Sequence, residues 1–86
     1  MNALLFVAGG IPPTWSVDER KAGGRRLGTV QHWGRTGFFI EAVSGGPLSR
    51  IERGPYESLD AAMDAIAHQL RGTCEKWAPA RRRAAA

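Results

Sequence analysis

Residues 27–56 hold three short apolar runs of strand-forming residues, and glycine-rich turns separate them. The runs are residues 27–33, 38–43 and 48–53. Residues 34–37, Gly-Arg-Thr-Gly, supply two glycines for the positive φ angles of a tight hairpin. Residues 45–47, Gly-Gly-Pro, make the second turn. We therefore predict an antiparallel meander whose charge-rich third strand lies at an edge.

An amphipathic helix follows this meander. Ser58 stands where an N-cap is needed, and the apolar residues behind it recur at spacings of four, three and four: Leu59, Met63, Ile66 and Leu70. These spacings place the four side chains on one stripe. Gly72 is the natural C-cap. Cys74 and Trp77 continue the stripe, so either the helix runs through Gly72 or a short second helix begins at Thr73.

The helix stripe and one face of the sheet are the natural partners for each other. With residues 14–18 as a further strand, the sequence predicts an α+β fold: a three- to four-stranded antiparallel sheet with one C-terminal helix packed on one face. Residues 1–13 are an apolar leader or a short strand, without the features of a secretory signal. Residues 14–79 form a single domain, and residues 80–86 are a disordered basic tail. A chain of 86 residues allows one small core.

The second sheet face is expected to meet solvent. Alternation puts Phe38, Ile40 and Ala42 on the helix side and Phe39, Glu41 and Val43 on the other. An exposed Phe39 has two explanations. It is a binding platform together with Trp33 or Trp15, or the apolar residues 4–7 cover it.

Positive charge is unevenly placed along the chain. The formal charge is +4, but Arg81, Arg82 and Arg83 supply three of the charges. The basic residues before them that favour nucleic acid are Arg20, Lys21, Arg25, Arg26 and Arg35. We expect these to converge at one end of the sheet near Trp33 and Phe39, which would combine phosphate contacts with base stacking.

Catalytic and metal-binding motifs are absent from the sequence. His32, His68 and Cys74 stand apart from any paired metal-ligand spacing or nucleophile motif, and we interpret them as structural residues. We predict no enzyme activity, no cofactor and no small-molecule substrate. One cysteine cannot form an internal disulfide, and no apolar run reaches the roughly 18 residues of a membrane span. The expected location is the cytoplasm.

The segment Tyr-Glu-Ser-Leu-Asp-Ala-Ala at residues 56–62 opens the helix directly after the third predicted strand. This order over residues 27–71 resembles the three-strands-then-helix plan of integrase arm-binding domains, in which a similar start follows the third strand. The resemblance implies DNA binding, although Glu41 and Glu52 stand where such domains carry basic sheet residues. The chain equally resembles small bacterial proteins of β-β-β-α plan without an assigned activity.

Two functional hypotheses remain from the sequence. The first is a non-catalytic interaction module that uses its open sheet face or an edge strand to bind an unknown protein or a second copy of itself. The second is a nucleic-acid-binding module. Its site residues are Arg25, Arg26 and Arg35, with Trp33 and Phe39 as stacking groups.

Overall fold

A computed structural model describes residues 1–77, which form a five-stranded mixed sheet and one helix. The elements are β1 (Ala3–Val7), β2 (Thr14–Glu19), β3 (Arg26–Trp33), β4 (Gly37–Ala42), α1 (Leu59–Leu70) and β5 (Cys74–Lys76). The predicted α+β class is confirmed. The predicted basic tail, residues 80–86, lies outside the described residues.

The strands lie in the order β4-β3-β2-β1-β5. The pairs β1–β2, β2–β3 and β3–β4 are antiparallel, as predicted for a meander, but β5 runs parallel to β1. The prediction of three or four antiparallel strands was therefore wrong in strand number and in one pairing. The N-terminal residues were expected to be an apolar leader or a short strand. They form the short strand β1, which pairs with β2 on one side and with β5 on the other.

The turn between β3 and β4 forms as predicted. Gly34 has φ 49° and Gly37 has φ 119°, and the Thr36 amide donates to the Trp33 carbonyl at 2.9 Å. The hairpin that results pairs Val30 with Ile40, and both side chains are buried beneath the helix. The register of these two strands thus follows from the turn chemistry.

The core lies between one face of the sheet and α1. Leu5, Val17, Val30 and Ile40 belong to the same buried cluster as Met63 and Ile66, which confirms the helix stripe. A register shift after Val17 leaves one extra residue on β3, and Leu27 at this bulge is fully buried. The bulge thus adds one large apolar side chain to the core.

The predicted third strand over residues 48–53 was wrong. Successive tight turns hold this segment, since the amides of Gly46, Ser49 and Ile51 each donate to the carbonyl three residues earlier. Leu48 is fully buried among the core residues. The segment is therefore an irregular loop whose apolar side chains pack into the core. Its amides and carbonyls are bonded within the turns, so they are not free to pair with a neighbouring strand.

The loop then runs along the free edge of β4. The Phe38 amide donates to the Tyr56 carbonyl, the Tyr56 amide donates back to the Phe38 carbonyl, and the Ile40 amide donates to the Arg53 carbonyl, at 2.8–2.9 Å. Gly54, at φ 126°, lies within this stretch. These bonds cover the first half of the outer edge of β4, at Phe38 and Ile40.

The start of α1 is as predicted and its end is one residue earlier. Ser58 Oγ accepts a hydrogen bond from the Ala61 amide at 3.0 Å. At the other end Arg71 takes the left-handed conformation expected for Gly72, and its amide caps the last turn. Gly72 is needed for a different reason, because a Cβ there would collide with the Met1 carbonyl oxygen.

Both predictions for the residues after Gly72 were wrong. The helix stops, and residues 74–76 form β5 against β1. The Ala3 amide donates to the Thr73 carbonyl and the Asn2 side-chain carbonyl accepts from the Thr73 amide. The chain leaves the helix toward β1 because these N-terminal groups hold it there. Cys74 consequently packs against the core from a strand.

Candidate functional site

The sheet face opposite α1, here called the open face, carries the alternate side chains of every strand. Its central positions are polar. Ser16 on β2 and Thr29 on β3 are direct neighbours, and Ser16 Oγ donates to Asp18 Oδ1 at 2.7 Å. The aromatic side chains lie at the two lateral ends of the face. The open face therefore has two aromatic ends on either side of a small polar centre.

One lateral end holds a cleft. Its apolar lining is Trp33, Phe39 and Ile40, and its polar lining is Gln31, Thr36, Glu41 and Arg53. Its volume is about 380 Å³, within the range of ligand pockets. Trp33 is 50% exposed, and its Nε1 donates to the Gln31 side-chain oxygen at 3.2 Å. Of the two tryptophans that the sequence offered as companions of Phe39, Trp33 lines the same cleft, whereas Trp15 packs against the core.

The other lateral end holds a second aromatic pair, which the sequence analysis missed. Phe6 on β1 and Trp77 after β5 stack with ring centroids 5.4 Å apart and an interplanar angle of 29°. Trp77 is also 50% exposed. Its helical spacing from Leu70 had suggested the helix stripe, whereas the parallel pairing of β5 with β1 places it on the open face. Residues 3–7 are apolar throughout, so the sequence held no alternation that would assign Phe6 to one face.

The N-terminal residues 4–7 do not cover Phe39. They form part of β1, and two strands separate β1 from β4, a distance of about 14 Å at usual strand spacing. The covering explanation for Phe39 is therefore wrong. Phe39 is half-buried by its own cleft, while Glu41 and Val43 on the same face are exposed as predicted.

The predicted basic residues do not converge. Arg20, Lys21, Arg25 and Arg26 lie at the β2–β3 connection, whereas Arg35 lies in the β3–β4 turn at the opposite end of β3. The eight residues of β3 separate Arg26 from Arg35 by roughly 25 Å. Trp33 and Phe39 are near Arg35 and far from Arg25. The five predicted site residues thus divide into two groups.

Acidic neighbours pair with the basic residues at the β2–β3 connection. Lys21 and Arg25 lie 3.6 and 3.7 Å from Glu19, and Arg26 lies 3.7 Å from Asp18. Two further pairs sit at the lateral ends of the open face, Arg20 with Glu75 at 3.2 Å and Arg53 with Glu41 at 3.1 Å. Exposed pairs of this kind stabilise little, but they reduce the positive potential of the surface.

His32, His68 and Cys74 are dispersed. His32 stacks on Phe38 at 4.2 Å on the helix side of the sheet, and His68 is exposed on α1. Burial, with the charges of Asp64 and Glu75 adding to it, raises the pKa of the Cys74 thiol to about 11. A thiol with such a pKa is a poor nucleophile at neutral pH. Within residues 1–77 no three metal-ligating side chains gather in a cluster.

Comparison of this chain with protein-family models, with curated proteins and with solved structures finds no match. The resemblance to integrase arm-binding domains therefore stays a hypothesis. Among residues 1–77, α1 is too short to cross a membrane.

Proposed function

We propose that this chain is a non-catalytic, cytoplasmic interaction module that binds protein through its open face, and that the occupant of this face is a second copy of the chain. The observation that carries the proposal is the presence of two half-exposed tryptophans on the face that α1 leaves uncovered: Trp77 stacks on Phe6, and Trp33 lines a cleft with Phe39. Aromatic side chains of this kind supply much of the binding energy of protein interfaces.

The edges of the sheet are weaker candidates than its face. Residues 53–56 already occupy the edge of β4. At the other edge β5 has three residues, two of them charged, and short charged strands resist pairing with further strands. These features favour the open face over the edge strand as the binding surface.

The resemblance of the two lateral ends favours a second copy as the occupant. Each end combines two aromatic side chains with an Arg–Glu ion pair, so a second copy turned over this face sets aromatic side chains against aromatic side chains at both ends. The strands of this face span about 500 Å² in projection, which is below the roughly 800 Å² per partner of standard interfaces and is typical of a weak dimer.

Sedimentation velocity over a wide concentration range tests the proposal. We expect the mass to rise with concentration from 9.3 kDa to twice that value, and to change little with salt because apolar burial drives the association. Trp33→Ser should weaken the dimer at least tenfold. Ile11→Ser is the matched control, since Ile11 is a fully exposed apolar residue in the β1–β2 loop. A monomer at all concentrations would contradict the proposal.

A variant ending at Trp77 examines a different occupant, the chain that follows β5. If the full chain is monomeric and the shortened chain dimerises, residues 78–86 occupy the open face and the second-copy assignment is wrong. Equal dimerisation of both chains is the expected result.

Nucleic-acid binding is the competing hypothesis, and salt dependence separates it from protein binding. Labelled single- and double-stranded DNA and RNA are titrated at two salt concentrations with the chain ending at Trp77. We expect no binding, since Glu19 and Asp18 reduce the positive potential around Arg25 and Arg26. Affinity that falls steeply with salt and disappears in the Arg25→Glu, Arg26→Glu double variant would favour nucleic acid instead.

A further inference from the structure

For two copies related by a two-fold axis along the strands, the order of the strands decides which parts of the two open faces meet. β2 is the central strand of five. Let this axis lie between the two faces and run parallel to β2. Then β1 of one copy lies opposite β3 of the other, and β5 of one copy lies opposite β4 of the other. The Phe6–Trp77 end of one copy then faces the β4 end of the other. Both contacts of a symmetric pair are identical, as closed two-fold symmetry requires.

The register of the strands determines where along the strands this contact lies. Phe6 is level with Ser16, Ser16 with Thr29, and Thr29 with Glu41. Trp77 lies beside Phe6, because its amide donates to the Leu5 carbonyl at 2.9 Å. Trp77 is therefore level with Glu41, which lines the cleft beside Phe39.

We propose, on the basis of the proposed function, that the Trp77 side chain of each copy occupies the Trp33–Phe39 cleft of the other. The cleft volume of about 380 Å³ accommodates an indole ring. The lining of the cleft also suits an indole. Its aromatic side chains offer stacking, the Arg53 guanidinium offers a cation–π contact, and the Glu41 carboxylate accepts a hydrogen bond from the indole N–H. Ser16, small and only 6% exposed, lets the two faces approach along the axis.

Mixing two variants tests this assignment. Trp77→Ser removes the inserted side chain, and Trp33→Ser opens the cleft. Each variant alone loses both contacts of the dimer and should bind itself at least tenfold more weakly than the original chain. A mixed dimer retains one complete contact, namely Trp77 of one copy in the intact cleft of the other. We therefore expect the mixture to form dimers more tightly than either variant alone.

The same experiment separates the inference from the proposed function. A monomeric original chain would contradict the proposed function itself. A dimeric original chain whose mixed variants associate no better than the single variants would overturn only the Trp77 assignment, since it would mean that like residues meet across the axis. Thermal unfolding of each variant establishes that it folds before it is mixed.

Fluorine NMR of the chain labelled with 5-fluorotryptophan gives a second readout that needs no disruptive variant. Trp77→Phe assigns the Trp77 resonance. We expect the resonances of Trp77 and Trp33 to shift with concentration, while that of Trp15, which packs against the core, stays constant. A Trp77 resonance that does not change as the dimer forms would overturn the assignment.

Discussion

Gly34 and Gly37 both have positive φ angles in the β3–β4 turn, yet their surroundings differ. A Cβ at Gly34 meets open space, whereas one at Gly37 lies 2.7 Å from the Tyr56 carbonyl oxygen. We expect Gly34→Ala to lower the free energy of unfolding by about 1 kcal/mol, the cost of left-handed backbone. Gly37→Ala should cost more than about 2 kcal/mol, because the backbone clash is added. Urea denaturation measures both, and equal costs would contradict this account.

The Cys74 thiol makes stability depend on pH. Burial first, then the charges of Asp64 and Glu75, raises the pKa of this thiol from 9.0 to about 11. The folded chain therefore holds the proton more tightly than the unfolded chain. This contribution is complete below about pH 9 and is lost as the pH rises toward 11. Urea denaturation at pH 8 and 10.5 should show a larger loss for the original chain than for Cys74→Ala, and parallel losses would contradict the prediction.

The helix α1 depends on its first turn. Ser58 Oγ accepts from the Ala61 amide at 3.0 Å, and without it that amide has no side-chain partner. Ser58→Ala should lower the free energy of unfolding by about 1 kcal/mol, while Ser58→Asp, which can also cap, should retain most of the stability. Thermal unfolding of both variants tests this. If Ser58→Asp is as unstable as Ser58→Ala, the loss has a cause other than capping.

Elements with local signals were predictable from sequence, and elements held by distant contacts were not. The turn glycines, the Ser58 cap and the spacing of Met63 and Ile66 act within a few residues, so the β3–β4 hairpin and α1 emerged correctly. The parallel pairing of β5 with β1 joins residues about 70 positions apart. Nothing in the local pattern of Cys74 and Trp77 distinguishes that strand from a helical continuation. The Phe6–Trp77 half of the aromatic surface was therefore not predicted from the sequence.

The prediction that the basic residues converge was wrong for a related reason. Charge density along the chain identified residues 20–26, but the acidic partners Asp18 and Glu19 and the 25 Å span of β3 decide what these charges can do together. Pairing across one hairpin brings Trp33 and Phe39 to one cleft, whereas the sequence left Trp33 and Trp15 as alternative companions of Phe39. The place of Trp33 and Phe39 in a binding surface stays a prediction.

For the whole molecule, the proposed dimer links stability to concentration. Association draws the equilibrium toward the folded state, so the midpoint of thermal unfolding should rise by a few degrees for each tenfold increase in protein concentration. The Trp33→Ser variant should show a much smaller rise. Calorimetry at three concentrations measures both. A midpoint that is independent of concentration in the original chain would speak against a dimer coupled to folding.

The segment that runs along β4 also limits how far association can proceed. A sheet with open sides can add further copies without end, as fibres do. Here residues 53–56 bond to the backbone of β4 at one edge of the sheet. At the other edge, the three residues of β5 are too few to pair well with a further strand. In the proposed dimer, each copy covers the open face of the other. We therefore expect association to stop at two copies and not to continue into a fibre.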